Sequence, residues 1–199
     1  MREEKPVRLF VGVPVADELR DALERHLAAT VGERLAGRAV PPANWHLTLR
    51  FLGATDAERH PRMVDELARI EAPPFDLTFT GLGGFPRAGR AKVLWIGVGA
   101  GADELRALAA SIEAAAVRAG FAAEPKPFSP HLTLSRLRPS ADLRPLVDAA
   151  APFGGRMRVD AFTLFRSHLG GAAPRYEPLE RFPLARSVRL DSADSVDSV

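Results

Sequence analysis

The chain has 199 residues, nearly half of them hydrophobic and about a quarter charged, a balance that builds a buried core and excludes general disorder. It holds no cysteine, which excludes disulfides, thiol nucleophiles and cysteine-ligated metals. The formal net charge is +2, rising to +5 without the three aspartates of the closing DSADSVDSV, and apart from Lys5, Lys92 and Lys126 the bases are arginines, whose planar fork suits phosphate.

The opening MREEKPVRLFVGVPVA mixes acids and bases ahead of a short apolar run that Arg8 and Pro14 interrupt. It reads poorly as a leader, and no segment approaches the ~20 apolar residues of a membrane span. A cytoplasmic protein with no membrane association is the expectation.

Taken in chain order, residues 7–13 predict a strand. Residues 17–35 predict a helix with Leu19, Leu23 and Leu27 on one face, and 45–52 the next strand. Residues 57–70 predict a helix with Met63, Leu67 and Ile70 as its stripe, stopped by Pro73-Pro74. The alternation of Phe75, Leu77 and Phe79 with polar neighbours predicts a half-buried strand over 75–82. The glycines of GLGGF at 81–85 read as a turn, and 83–91 as the crossover between two lobes. Further on, 93–98, 128–137 and 156–165 predict strands, 103–119 and 142–150 helices, 179–189 a last strand, and 191–199 a disordered acidic tail.

The chain repeats itself. Ala-Asp-Glu-Leu-Arg occurs at 16–20 and 102–106, and His-Leu-Thr-Leu at 46–49 and 131–134. Two independent landmarks thus share one offset to within a residue, which points to a duplicated unit. The expected fold is α+β and bilobal: one domain over 1–190, with repeats 7–85 and 91–167 and 168–190 completing it. Two mainly antiparallel sheets flank a central cleft, with helices outside and pseudo-twofold symmetry.

The His-Leu-Thr-Leu strands carry the chemistry. Alternation puts His46 and Thr48 on one face with Leu47 and Leu49 on the other, and treats His131 and Thr133 the same way. Two imidazoles and two hydroxyls facing one groove suit displacement at a phosphodiester phosphorus. One imidazole takes a proton from the attacking oxygen, the other protonates the departing one, and hydroxyl donors stabilise the non-bridging oxygens. A ribose 2′,3′-cyclic phosphate fits, because ring strain makes it reactive without further activation. A single such strand is more often structural; the second copy reverses that weighting.

No third ligand or His-Glu-x-x-His cluster accompanies the two histidines, so neither metal nor cofactor is expected. Arg50 falls on the face of His46 and Thr48 and competes as a phosphate contact with a solvated rim charge. Trp45, Phe51 and Trp95 read as core rather than stacking platforms, whereas Phe10, Phe85 and Tyr176 are candidates to line the cleft. His26, His60 and His168 are left outside the site.

With these residues in view, HLTL at 46–49 and HLTL at 131–134 resemble the twin His-x-Thr-x motifs of the two-histidine phosphoesterases. The nearer resemblance is to the bacterial RNA 2′,3′-cyclic phosphodiesterases, or 2′-5′ RNA ligase-like proteins. It extends to RLFVGVP at 8–14, FPRAGRAKVLWIGV at 85–98 and LFRSHLGGAAPRYEPL at 164–179. The resemblance implies metal-free hydrolysis of RNA or nucleotide 2′,3′-cyclic phosphodiesters to 2′-phosphomonoesters, with His46 as proton donor, His131 as acceptor, and Thr48 and Thr133 on the phosphate. Arg136 matches a family arginine, although strict alternation turns it to the leucine face unless a bulge intervenes. A reversible 2′-5′ RNA ligase, a 2′-5′ oligonucleotide phosphodiesterase and a non-catalytic RNA- or nucleotide-binding module stand as alternatives. A monomer is expected, since the duplication already supplies a closed pair.

Overall fold

The computed structural model describes residues 6–32, 35, 37–168 and 174–185. The elements follow in the order β1 (Val7–Pro14), α1 (Asp17–Thr30), β2 (Arg38–Ala39), β3 (His46–Thr55), α2 (Arg59–Ala68), β4 (Phe75–Phe85) and β5 (Ala91–Val98). Then come α3 (Ala102–Arg118), β6 (His131–Ala141), α4 (Arg144–Ala149), β7 (Arg156–Val159), β8 (Ala161–His168) and β9 (Arg175–Pro183).

The apolar stripes decide which faces are covered. Leu19, Leu23 and Leu27 of α1 are buried, as are Met63 and Leu67 of α2. On α3, Leu105, Leu108, Ala109, Ile112, Ala115 and Ala116 are buried. These side chains join Leu47, Leu49, Leu132 and Leu134 in the hydrophobic core, so the leucine faces of the motif strands lie under helices and the opposite faces are left for chemistry.

The strands form the path β7-β4-β5-β6-β3-β1-β8-β9, with β2 attached to β6. All the pairings are antiparallel. A single bridge, Leu47 opposite Leu132, joins β3 to β6 and divides the path into two halves. Outward from that bridge run β3, β1 and β8 on one side and β6, β5 and β4 on the other. These are repeat equivalents in the same order, and Leu47 and Leu132 are themselves equivalent positions. A pseudo-twofold axis therefore passes between them, giving the α+β, pseudo-symmetric antiparallel architecture that the duplication implied.

The sheet halves are not the sequence repeats. β4 belongs to the first repeat yet pairs with β5 and β7, and β8 belongs to the second yet pairs with β1 and β9. Each repeat lends its third strand to the other half. The chain crosses between halves after α2 and again at Asp160, which splits the expected strand over 156–165 into β7 and β8. The glycines of 81–85 are not the expected turn but extend β4 into a hairpin with β5. A Cβ on Gly83 would stand 2.2 Å from the Trp95 ring: glycine here makes room for tryptophan across the pair. The last strand ends at Pro183; the tail at 191–199 lies outside the described residues. No helix among the described residues is long and apolar enough to cross a membrane.

Candidate active site

β3 and β6 open with the same burial sequence. His46 and Thr48 are half-buried, Leu47, Leu49, Arg50 and Leu52 buried, and Phe51 exposed; His131, Thr133, Leu132, Leu134, Ser135, Leu137 and Arg136 repeat this position by position. Two consecutive buried residues break the alternation, and the pairing shows why. The register with β1 jumps from Val11 opposite Arg50 to Gly12 opposite Thr48. The register with β5 jumps from Leu94 opposite Ser135 to Trp95 opposite Thr133. A bulge at Leu49/Arg50 and another at Leu134/Ser135 shift each strand by one residue. Arg136 therefore returns to the face of His131 and Thr133, and Phe51 to that of His46 and Thr48.

This corrects two expectations. Arg50, placed by alternation beside His46, is turned inward, and Phe51, read as core, is 57% exposed.

The bridge sets the layout of the polar pairs. With Leu47 opposite Leu132 in an antiparallel register, His46 falls across from Thr133 and Thr48 across from His131, all four on one face. The histidine of each repeat is thus in register with the threonine of the other. Among the described residues neither threonine hydroxyl has an intramolecular hydrogen bond, so both remain available to a ligand.

Both imidazoles are fixed in the same way. His46 Nδ1 lies 2.7 Å from the Asn44 carbonyl oxygen and His131 Nδ1 2.7 Å from the Ser129 carbonyl oxygen. A carbonyl only accepts, so each Nδ1 carries the hydrogen and each neutral ring keeps Nε2 as its basic nitrogen. Asn44 is itself held, its side-chain amide donating to the Pro174 carbonyl at 2.7 Å. His46 packs against Phe10 (4.8 Å between ring centroids) and edge-on to Tyr176 (5.1 Å); His131 meets Phe85 edge-on at 4.9 Å.

Burial among these rings is the main reason that the His46 pKa falls from its ordinary 6.5 to about 4, against the opposing pull of the Asn44 carbonyl; Arg136 and His131 lower it further. His131 is lowered too, by burial first and by Arg136. Both shifts favour the neutral imidazole at pH 7.

The cleft has a volume of about 970 Å³, and its lining includes Thr48, Phe51, Phe85, His131, Thr133 and Arg136. Of the other candidates, Phe10 is only 2% exposed and acts as the support behind His46. Tyr176 flanks the same imidazole, and burial raises its phenol pKa, keeping it neutral. Arg136 is exposed on the cleft face and makes no ion pair among the described residues. His168 pairs with Glu177, and His26 meets the Ala151 carbonyl at 3.0 Å, both apart from the motif strands.

Arg50 holds the wall of the cleft. Its guanidinium stands 2.5 Å from Glu113 of α3 and 3.1 Å from Glu124, and donates to the carbonyls of Phe51 and Ala122. The Glu113 contact is an ion contact without hydrogen-bond alignment at Nε. Sequence reasoning missed this cluster, along with the carbonyls of Asn44 and Ser129. The i−2 relation of each carbonyl to its histidine was readable in principle; the meeting of residues 50, 113 and 124 was not.

A pseudo-symmetric antiparallel sheet whose axial strands each carry one histidine and one threonine on the same face, with Thr48, His131 and Thr133 lining the cleft and His46 packed against Phe10 and Tyr176, is the architecture of a two-histidine phosphoesterase. The chain belongs to the 2′-5′ RNA ligase superfamily, whose family model matches residues 14–171. An RNA 2′,3′-cyclic phosphodiesterase of Thermus thermophilus is 37% identical over 194 residues, covering 89% of this chain and 90% of the relative. One of Escherichia coli is 34% identical over 183 residues, covering 92% and 99%. The crystal structure of E. coli LigT complexed with 3′-AMP superposes with a TM-score of 0.78 at 32% identity, over 91% of this chain and 99% of that one.

Proposed function

We propose that this chain hydrolyses RNA or nucleotide 2′,3′-cyclic phosphodiesters to 2′-phosphomonoesters, using His46 and His131 as an acid/base pair and no metal. The observation that carries the reading is the matched fixing of the two imidazoles, each with Nδ1 tied to a carbonyl at 2.7 Å and Nε2 left for proton transfer.

In the proposed sequence, His131 Nε2 takes a proton from water as its oxygen attacks phosphorus. The P–O3′ bond breaks, and O3′ receives a proton from His46 Nε2. Thr48 and Thr133 donate to the non-bridging oxygens, and Arg136 offsets the charge that builds on them. Atoms and charge balance: the product is a 2′-phosphate with a free 3′-hydroxyl, and the two histidines exchange one proton with solvent before the next turnover. The order of the roles follows the family resemblance. Burial lowers the His46 pKa, and the anionic substrate beside it favours the protonated ring.

With a 5′-hydroxyl in place of water as the attacking group, the same acid and base join a cyclic end to an RNA 5′ end and free O3′, the 2′-5′ ligation in the family's name. We place the protein in the cytoplasm as a monomer. The test is turnover of a 2′,3′-cyclic nucleotide in EDTA with the product phosphate located by NMR. A 2′-phosphate formed at full rate supports the reading; a 3′-phosphate, or activity abolished by EDTA, refutes it.

A further inference from the structure

The two imidazoles are fixed alike by backbone carbonyls, but the residues that supply those carbonyls differ. Ser129, two positions before His131, is exposed, and its hydroxyl makes no hydrogen bond among the described residues. Asn44, at the equivalent place before His46, is half-buried, and its side-chain amide donates to the Pro174 carbonyl at 2.7 Å. The symmetry of the repeat is broken at this residue.

Asn44 closes a short 3-10 turn, Pro42–Asn44, in which its own N–H donates to the Pro41 carbonyl at 2.8 Å and the Trp45 N–H to the Pro42 carbonyl at 3.0 Å. The turn presents the Asn44 carbonyl to His46 Nδ1, while the side chain reaches the residue that precedes β9. β9 is the last strand of the sheet and pairs with β8 alone. Its leading end, opposite Ser167 and His168, gains a second attachment through Asn44. That end carries Tyr176, whose ring stands edge-on to the His46 imidazole at 5.1 Å and to Phe10 at 5.0 Å. One asparagine thus holds the imidazole from two sides: its backbone accepts from Nδ1, and its amide secures the strand that closes the flank of the ring.

We propose that Asn44 is a positioning residue for the His46 half of the reaction: its amide, tied to Pro174, keeps Tyr176 against the imidazole and so aims Nε2 at the reacting oxygen. It touches no substrate and acts through His46. An imidazole that loses this flank drifts from the geometry of proton transfer, where a displacement of about 1 Å can cost on the order of 10²-fold. The inference rests on the phosphodiesterase reading and adds to it the side chain that sets the geometry of the first histidine.

The test is a double-mutant cycle on a 2′,3′-cyclic nucleotide with the native protein, Asn44→Ser, His46→Ala and the double variant, using enough enzyme to register the slowest. Asn44→Ser should lower kcat about tenfold and change KM by less than about twofold. In the His46→Ala background the same substitution should lower kcat no further, because residues that act through one group are not additive. Asn44→Ser gives the turn the residue that the second repeat already carries there, Asn44→Ala repeats the measurement without a hydroxyl, and melting curves refer each rate to folded protein. A native kcat in both Asn44 variants, a loss that falls on KM instead, or an equal loss with and without His46, as a general loosening of the fold would give, overturns the inference and leaves the phosphodiesterase reading intact. No turnover by the native protein overturns both.

Discussion

Leu47 and Leu132 face each other across the single bridge between the two halves of the sheet, and each is completely buried. They occupy equivalent places in the repeat, so this pair marks the axis, and the polar residues flanking it are what the axis gathers. Leu47→Ala and Leu132→Ala should each destabilise by about 3–5 kcal/mol, as full truncations in a packed core do. They should also lower turnover in whatever fraction stays folded, because the cavity loosens both motif strands together. Urea unfolding and specific activity, measured on the same samples, check this.

The close approach of β1 to β3 sets the position of His46. A Cβ on Gly12 would lie 2.8 Å from the Leu47 carbonyl oxygen and 3.3 Å from His46 Cδ2. Gly12→Ala should therefore displace the imidazole and reduce kcat at least tenfold with the fold retained. Gly81→Ala, where an added Cβ meets nothing within 4 Å, should be close to neutral. Steady-state kinetics on the two variants separate local displacement from a general effect of removing glycine.

Arg50 offers a division between stability and chemistry. It is 9% exposed, between carboxylates that are 29% and 44% exposed. Removing it strands charges that water already reaches, so the cost falls below that of a fully buried pair. Arg50→Met should cost about 2 kcal/mol, a melting temperature lower by roughly 4–8 °C for a chain of this size. Had Arg50 been a phosphate ligand, as alternation suggested, the dominant effect would be on KM instead.

The pH dependence follows from burial. Both imidazole pKa values lie below 6.5, that of His46 at about 4, and turnover requires one ring neutral and one protonated. The kcat/KM profile, which reports the free enzyme, should peak below pH 6.5 and fall about tenfold per unit above it. The anionic substrate favours the cation, so the kcat profile should peak at higher pH. Stability shares the sign: the native histidines resist protonation while the unfolded ones accept it, so melting temperature should drop as pH falls from 6.5 toward 4. A kcat/KM maximum at pH 8 or above would refute this electrostatic picture.

The assignment of donor and acceptor is open to chemical separation. A leaving group as acidic as p-nitrophenol needs no proton. On a p-nitrophenyl phosphodiester, His46→Ala should therefore retain much more of native activity than on the cyclic substrate, while His131→Ala should lose both. The opposite pattern exchanges the roles.

The duplication, the antiparallel strands and the face shared by His46, Thr48, His131 and Thr133 were legible in the sequence, because they depend on local alternation and on repeat spacing. What alternation could not show is where it stops. The bulges after Leu49 and Leu134 reverse the faces of everything beyond them, turning Arg50 inward and bringing Phe51 and Arg136 to the cleft. Nor does spacing reveal that β4 and β8 change partners, since a strand's pattern records which face is buried and not which neighbour it pairs with. Nor does spacing connect Arg50 with Glu113 and Glu124, which meet it only when α3 and the loop after it close on β3.

The central claim is that two imidazoles act as one unit across the axis, and it is tested most directly by turnover in His46→Ala, His131→Ala and the double variant. Each single substitution should cost roughly 10²- to 10⁴-fold on the cyclic substrate with folding intact, and the double variant little more than the worse single, since groups that act as a unit are not additive. Near-native turnover after loss of either histidine would contradict the two-sided mechanism.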